Sequence, residues 1–160
     1  MFIEKEQEKI QEKKKVTIVQ WLIALIVLGL IIFTGVFLAV SERAKSRDVA
    51  RVAYIKQIQA GLELYYNDFN NYPVSEGLIL GSRTARFLDS GGFKDSCSGK
   101  VYLNYIPLAP IPADGKCNNQ LNAFIYSGQD GRNYQINFCL GKAVGELGSG
   151  PHAAIFGEIK

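Results

Sequence analysis

The sequence predicts an α+β fold. It has one long N-terminal helix, transmembrane in its first part and an amphipathic neck in its second, packed against a small antiparallel β-sheet head. Three observations carry this. Val16 to Val40 reads VTIVQWLIALIVLGLIIFTGVFLAV, 25 residues without Asp, Glu, Lys, Arg or Pro. Val52, Ile55, Ile58, Leu62, Tyr65 and Phe69 then recur in steps of three and four, the period of one helix face. After Pro73 the helical period is gone, and short apolar pieces alternate with Gly, Pro, Ser and Asn.

Residues 1–15, MFIEKEQEKIQEKKK, form a charged leader with five Lys and four Glu. Glu6 with Lys9 and Glu12 with Lys15 are spaced to support a helical extension of the segment that follows. Residues 16–40 are the transmembrane segment: a hydrocarbon core about 30 Å thick needs about 20 apolar residues of helix. A cleaved secretory signal is the rival reading, from the small residues Ala39 and Ser41 around Val40, but the apolar region is much longer than such signals use. Arg43, Lys45, Arg47 and Arg51 lie just beyond it and are expected to anchor at lipid headgroups.

Residues 41–72 form the neck. Its apolar stripe needs cover, and the head is expected to supply it, with Arg51, Lys56 and Glu63 elsewhere on the helix. Asn70-Asn71-Tyr72-Pro73 ends the helix, because the residue before proline is driven out of αR geometry. Residues 73–160 are the head. Leu78–Leu80 and Ala85–Leu88 read as loop with a helical turn, Ser90-Gly91-Gly92 as a turn, and Val101 to Ile106 as a short extended piece. Leu121 to Tyr126 and Tyr134 to Leu140 read as strands of a hairpin. Tyr134, Ile136, Phe138 and Leu140 fall on one face by alternation. Gly145, Gly148 and Gly150 suggest a loose tail.

Charge and motif content exclude much. After residue 40 there are 13 Lys and Arg against 11 Asp and Glu, so the head lacks the basic excess of a nucleic-acid binder. The sequence holds no GxSxG, HExxH, P-loop or GxGxxG pattern, and its one histidine, His152, is read as a loop residue. No enzyme activity, cofactor or metal is expected. Cys97, Cys117 and Cys139 all follow the apolar segment, and a disulfide among them requires an oxidising compartment. The head is therefore expected outside the cytoplasm, with the leader inside. Cys117–Cys139 is the preferred pair, closing the hairpin, and Cys97–Cys117 the alternative.

Lys13-Lys14-Lys15 followed by Val16-Thr17-Ile18-Val19-Gln20-Trp21 and the apolar helix, then Ile58-Gln59-Ala60, Leu62-Glu63-Leu64-Tyr65-Tyr66-Asn67-Asp68 and Tyr72-Pro73, resemble the type IV pilin and pseudopilin superfamily. The resemblance implies a lollipop-shaped subunit. Its helix, beginning with Val16, Thr17, Ile18, Val19, Gln20 and Trp21, would assemble with other pilin-like subunits through an inner-membrane machinery. It also implies Asp114 and Asp130 as loop acids that some pseudopilin heads use for calcium. Two positions depart from the family pattern. Lys15 stands where the prepilin peptidase requires Gly, and Gln20 where the filament helix carries Glu. The departures agree with each other: a leader that is kept generates no new ammonium at Val16, and a buried Glu would have no partner there. The expected role is a structural or accessory subunit of a type IV pilus, pseudopilus or DNA-uptake filament. The alternative is a non-assembling, membrane-anchored binding or adhesion module.

Overall fold

The computed structural model describes the backbone of residues 2–160 and the side chains of residues 3, 5 and 17–160. The leader's Lys13, Lys14 and Lys15, and Val16 after them, lie outside the residues whose side chains are described. One helix, α1, runs from Phe2 to Phe69. The chain divides into two compact units, Met1–Glu42 and Arg43–Lys160.

In the first unit every described side chain but that of Ser41 is exposed, and Ser41 is half-buried. The helix here is long and apolar enough to cross a membrane, with a mean hydropathy of 3.0 over its most apolar window. A side chain at Gly29 or Gly35 would meet nothing within 4 Å.

In the second unit the rest of α1 packs on two antiparallel sheets. Eight strands follow it: β1 Ser75–Ile79, β2 Phe87–Asp89, β3 Gly92–Lys94, β4 Val101–Leu103, β5 Ile125–Gly128, β6 Gln135–Leu140, β7 Gly150–Ile155 and β8 Glu158–Ile159. A five-stranded sheet has the order β1-β5-β6-β7-β8, and a three-stranded sheet the order β3-β2-β4. Their inner faces share one core with the helix. Ile55, Ile58 and Leu62 are wholly buried in it, with Leu88, Ile106, Tyr126, Ile136 and Leu140. Gly61 lets the helix approach β4: a Cβ there would stand 2.3 Å from Leu103 Cγ.

The exit from the helix is built by local chemistry. Asn70 takes φ 53°, a left-handed conformation that Asn tolerates, and its N–H bonds to Tyr66 O at 2.7 Å. Tyr72 N then donates to Gly131 O at 2.6 Å, and the Tyr126 hydroxyl donates to Pro73 O at 2.6 Å. The turn after the helix is thereby tied to the β5–β6 connection.

Several sequence readings are corrected. The pieces read as loop at 78–80 and 85–88 overlap β1 and β2, whereas the turn read at Ser90-Gly91 is present and joins β2 to β3. The extended piece from Val101 is a strand only to Leu103. The first hairpin strand begins at Ile125, not Leu121, because residues 121–124 turn instead of pairing. The tail read as loose forms β7 and β8. β7 pairs with β6 from Ile136↔Ala154 to Leu140↔Gly150, and this pairing overrides the weak strand propensity of Gly and Pro. His152 accordingly lies on a strand, not in a loop.

Candidate functional site

Two surfaces are distinctive. The first is the apolar segment. Ile18, Val19 and Trp21 are more than half exposed, and so are residues around the full circumference of the helix, from Leu22 and Ile23 to Phe37, Leu38 and Val40. Thr17 and Gln20 are exposed with them. Thr34 returns its hydroxyl to the Leu30 and Ile31 carbonyls at 2.9 and 3.0 Å, so its polar group is satisfied within the helix. A helix that is apolar all round requires lipid or other helices as its surroundings.

The second is a charged cluster that ties α1 to the head. Asp48 and Arg51 are one helical turn apart and both are sealed from solvent. Arg51 Nη1 donates to Asp48 Oδ1 at 2.7 Å. Its Nη2 donates to Pro110 O at 2.7 Å, Asn122 Oδ1 at 2.8 Å and Pro112 O at 3.1 Å. Asp48 also accepts the backbone N–H groups of Gly141 and Lys142 at 3.0 and 2.8 Å. Arg47 grips Asp114 with two parallel bonds of 2.7 and 2.6 Å, the strong geometry for this pair. These bonds from Arg47 chiefly, with its charge and the Arg51 guanidinium adding to them, hold the Asp114 carboxyl below the ordinary range against its partial burial. The headgroup role expected of Arg47 and Arg51 is therefore corrected. Both are turned into the head, because a buried carboxylate and unpaired loop carbonyls offer them stronger partners than water does. Arg43 and Lys45 remain exposed.

The cluster needs close backbone approach. Gly115 has φ 57°, and a Cβ on it would stand 2.3 Å from Gly141 O; one on Gly141 would stand 2.4 Å from Asp114 Cβ. The Cys117–Cys139 disulfide spans the same two segments, with Cα atoms 5.8 Å apart. It is the pair preferred from sequence, and Cys97 is free and exposed.

The neck stripe divides. Ile55, Ile58, Leu62 and Tyr65 are buried, Val52 is partly buried against the core, and Phe69 is 38% exposed. Phe69 stands at the rim, its ring 4.6 Å from Tyr65 and 6.2 Å from Tyr102. Off the stripe, Gln59 is buried and its Nε2 donates to Ile155 O at 2.7 Å. Arg51 is likewise buried, against the sequence reading.

The loop acids are engaged. Both Asp114 oxygens are taken by arginine. Asp130 Oδ1 accepts Arg132 N at 3.0 Å and Asn133 N at 3.2 Å, closing the β5–β6 loop. Among the described residues no group of three His, Cys, Asp or Glu side chains could hold a metal. His152 Nδ1 faces Lys160 O at 3.1 Å and Nε2 faces Gly148 O at 2.8 Å, which positions it as a tie for the C-terminal strands.

Sequence reasoning missed Asp48. Its signal was the spacing of Asp48 and Arg51 at i,i+3 near the start of the stripe, but the spacing alone is equally that of an exposed helix pair. Comparison with protein-family models, curated proteins and solved structures finds no match to this chain.

Proposed function

We propose that this protein is a pilin-like subunit, structural or accessory, of a type IV pilus, pseudopilus or DNA-uptake filament. In this reading it is held in the membrane by residues 16–40, with its leader in the cytoplasm and its disulfide-closed head outside. The observation that carries the reading is a helix uncovered and apolar on all sides over one stretch and packed by its amphipathic face on an α+β domain over the next. A helix anchoring a monomer needs length and hydropathy only. In a filament the same segment also serves as the contact between subunits, where dispersion and close packing replace lipid contact. Gln20 is exposed on it. In this reading Gln20 offers a neighbouring helix an uncharged donor and acceptor instead of a carboxylate.

Photocrosslinking in the native membrane tests the proposal. A benzophenone residue replacing Leu25 or Phe33 is expected to join the chain to a second apolar-helix subunit. Lipid adducts and monomer alone, with the chain missing from sheared surface filaments, would overturn it.

A further inference from the structure

The face of the five-stranded sheet turned away from α1 is mixed: Ser127, Gln135 and Asn137 share it with Ile79, Ile125, Ala153 and Ile155, and a groove flanks its polar end. Register puts Ser127 opposite Gln135. Because Ile136 pairs with Ala154, Gln135 lies beside Ile155 on the next strand. Gln135 and Asn137 are exposed in succession on β6, and Gln135 Nε2 donates to Asn137 Oδ1 at 2.6 Å. The groove holds about 610 Å³ and is lined by the polar Ser127, Gln129, Asp130, Asn133 and Gln135 together with Tyr134, Ile155 and Phe156. That volume falls in the range of small-ligand sites. Phe156 is 63% exposed at the tip of the β7–β8 turn, where Gly157 takes φ 64°. The turn holds a large ring in water, a placement that nothing in the packing of the core requires. The turn is itself fastened from behind, because Gln59 of the helix donates to Ile155 O.

We propose that this groove binds a neutral saccharide. Three primary amides, two hydroxyls and one carboxylate belong to its lining, and each amide carries donors and an acceptor side by side, as adjacent sugar hydroxyls do; one donor of Gln135 is already given to Asn137 and one of Gln129 to Glu76. The exposed Phe156 ring supplies the flat apolar partner for the C–H face of a pyranose. The other ligand classes fit less well. Among the described lining residues there is no Lys or Arg to balance a phosphate or an acidic polymer, and the Asp130 carboxylate repels one. A β-strand peptide would dock on a sheet edge, whereas these side chains stand on the face of β5 and β6 and on two loops. This inference goes beyond the filament reading and stands whether or not the chain assembles.

The test uses the full chain in phosphocholine micelles, whose detergent carries no sugar. Chitotetraose, cellotetraose and maltotetraose are titrated by calorimetry and by saturation-transfer NMR. At least one is expected to bind saturably, and Phe156→Ala and Gln135→Ala are each expected to weaken it about tenfold without shifting the unfolding midpoint. Phe156 and Gln135 are exposed, so neither change threatens the fold. Absence of binding by all three sugars at millimolar concentration would overturn the proposal. So would binding that survives both substitutions, or an extended peptide that competes the sugar away.

Discussion

Arg51 reaches back one helical turn to Asp48, 2.7 Å away, with side-chain exposures of 1% and 0%. Neither charge can be balanced by water, so each depends on the other and on the loops that close over them. The pair joins the helix to residues 110–122 and 141–142, and the disulfide ties Cys117 of the first segment to Cys139, two residues before the second. Arg51 Nε is buried without an acceptor, so the cluster is not optimised for stability alone.

Removing one partner of this pair is expected to be severe. Arg51→Ala takes the buried guanidinium from the Asp48 carboxylate, leaving it the Gly141 and Lys142 N–H groups and the more distant Arg47 charge, and should cost about 3–5 kcal/mol. Asp48→Leu combined with Arg51→Met should cost less than the sum of the single changes, since no unpaired charge is left buried. Urea unfolding of the solubilised chain, followed by near-ultraviolet circular dichroism, measures both.

Acid should loosen the head through Asp114 and Asp89. Bonds from Arg47 hold Asp114 below the ordinary carboxyl range. Burial of Asp89 opposes ionisation, but the N–H groups of Ser98 and Gly91 and the Ser98 hydroxyl outweigh it and keep its carboxyl low as well. A carboxylate whose folded pKa is depressed contributes stability above the unfolded value of about 4 and loses it as pH falls through the folded value. Stability should therefore be level near neutrality and drop below about pH 4. Arg47→Ala should lower stability at neutral pH and shrink the drop, because it lets the folded value of Asp114 rise toward the unfolded one. Asp114→Asn should flatten it, and an acid titration of the urea midpoint reads all three.

Leu62 is wholly buried between the helix and the sheets. Leu62→Ala should cost about 2–5 kcal/mol, from lost transfer energy and the cavity left behind. Phe69→Ala, at the exposed rim, should cost distinctly less. A lowered melting temperature with unchanged self-association is the expected result for Leu62→Ala. The reverse pattern would make the stripe a contact between subunits instead.

Reducing Cys117–Cys139 releases a loop of sequence separation 22. The chain-entropy relation puts its contribution at about 3 kcal/mol. Protein exported by its native host should show one labelled thiol, Cys97, before reduction and three after it. Three reactive thiols in unreduced exported protein would contradict an oxidising location for the head.

Lys15 predicts a retained leader, since a long cation replaces the glycine that the peptidase of the resembled family requires. Intact-mass measurement of membrane-extracted protein should find residues 1–15 present. A mature start at Val16 would sink the idea.

The sequence alone determined the parts whose cause is local. The apolar segment follows from composition, the neck stripe from a period of three and four, and the helix end from Asn70 to Pro73; each is a property of neighbouring residues. The preferred disulfide followed from the position of two cysteines around one hairpin. Tertiary structure decided the rest. Strands as short as β2, β3 and β8 carry too few residues to show alternation, and they exist because a partner strand satisfies their backbone groups. Gly150 and Pro151 join a strand only because β6 lies beside them. Arg47 and Arg51 read as surface cations, because the groups that bury them lie 59 to 71 residues away along the chain. A charge chooses between water and protein by the donors and acceptors that surround it, and only the folded chain brings those together.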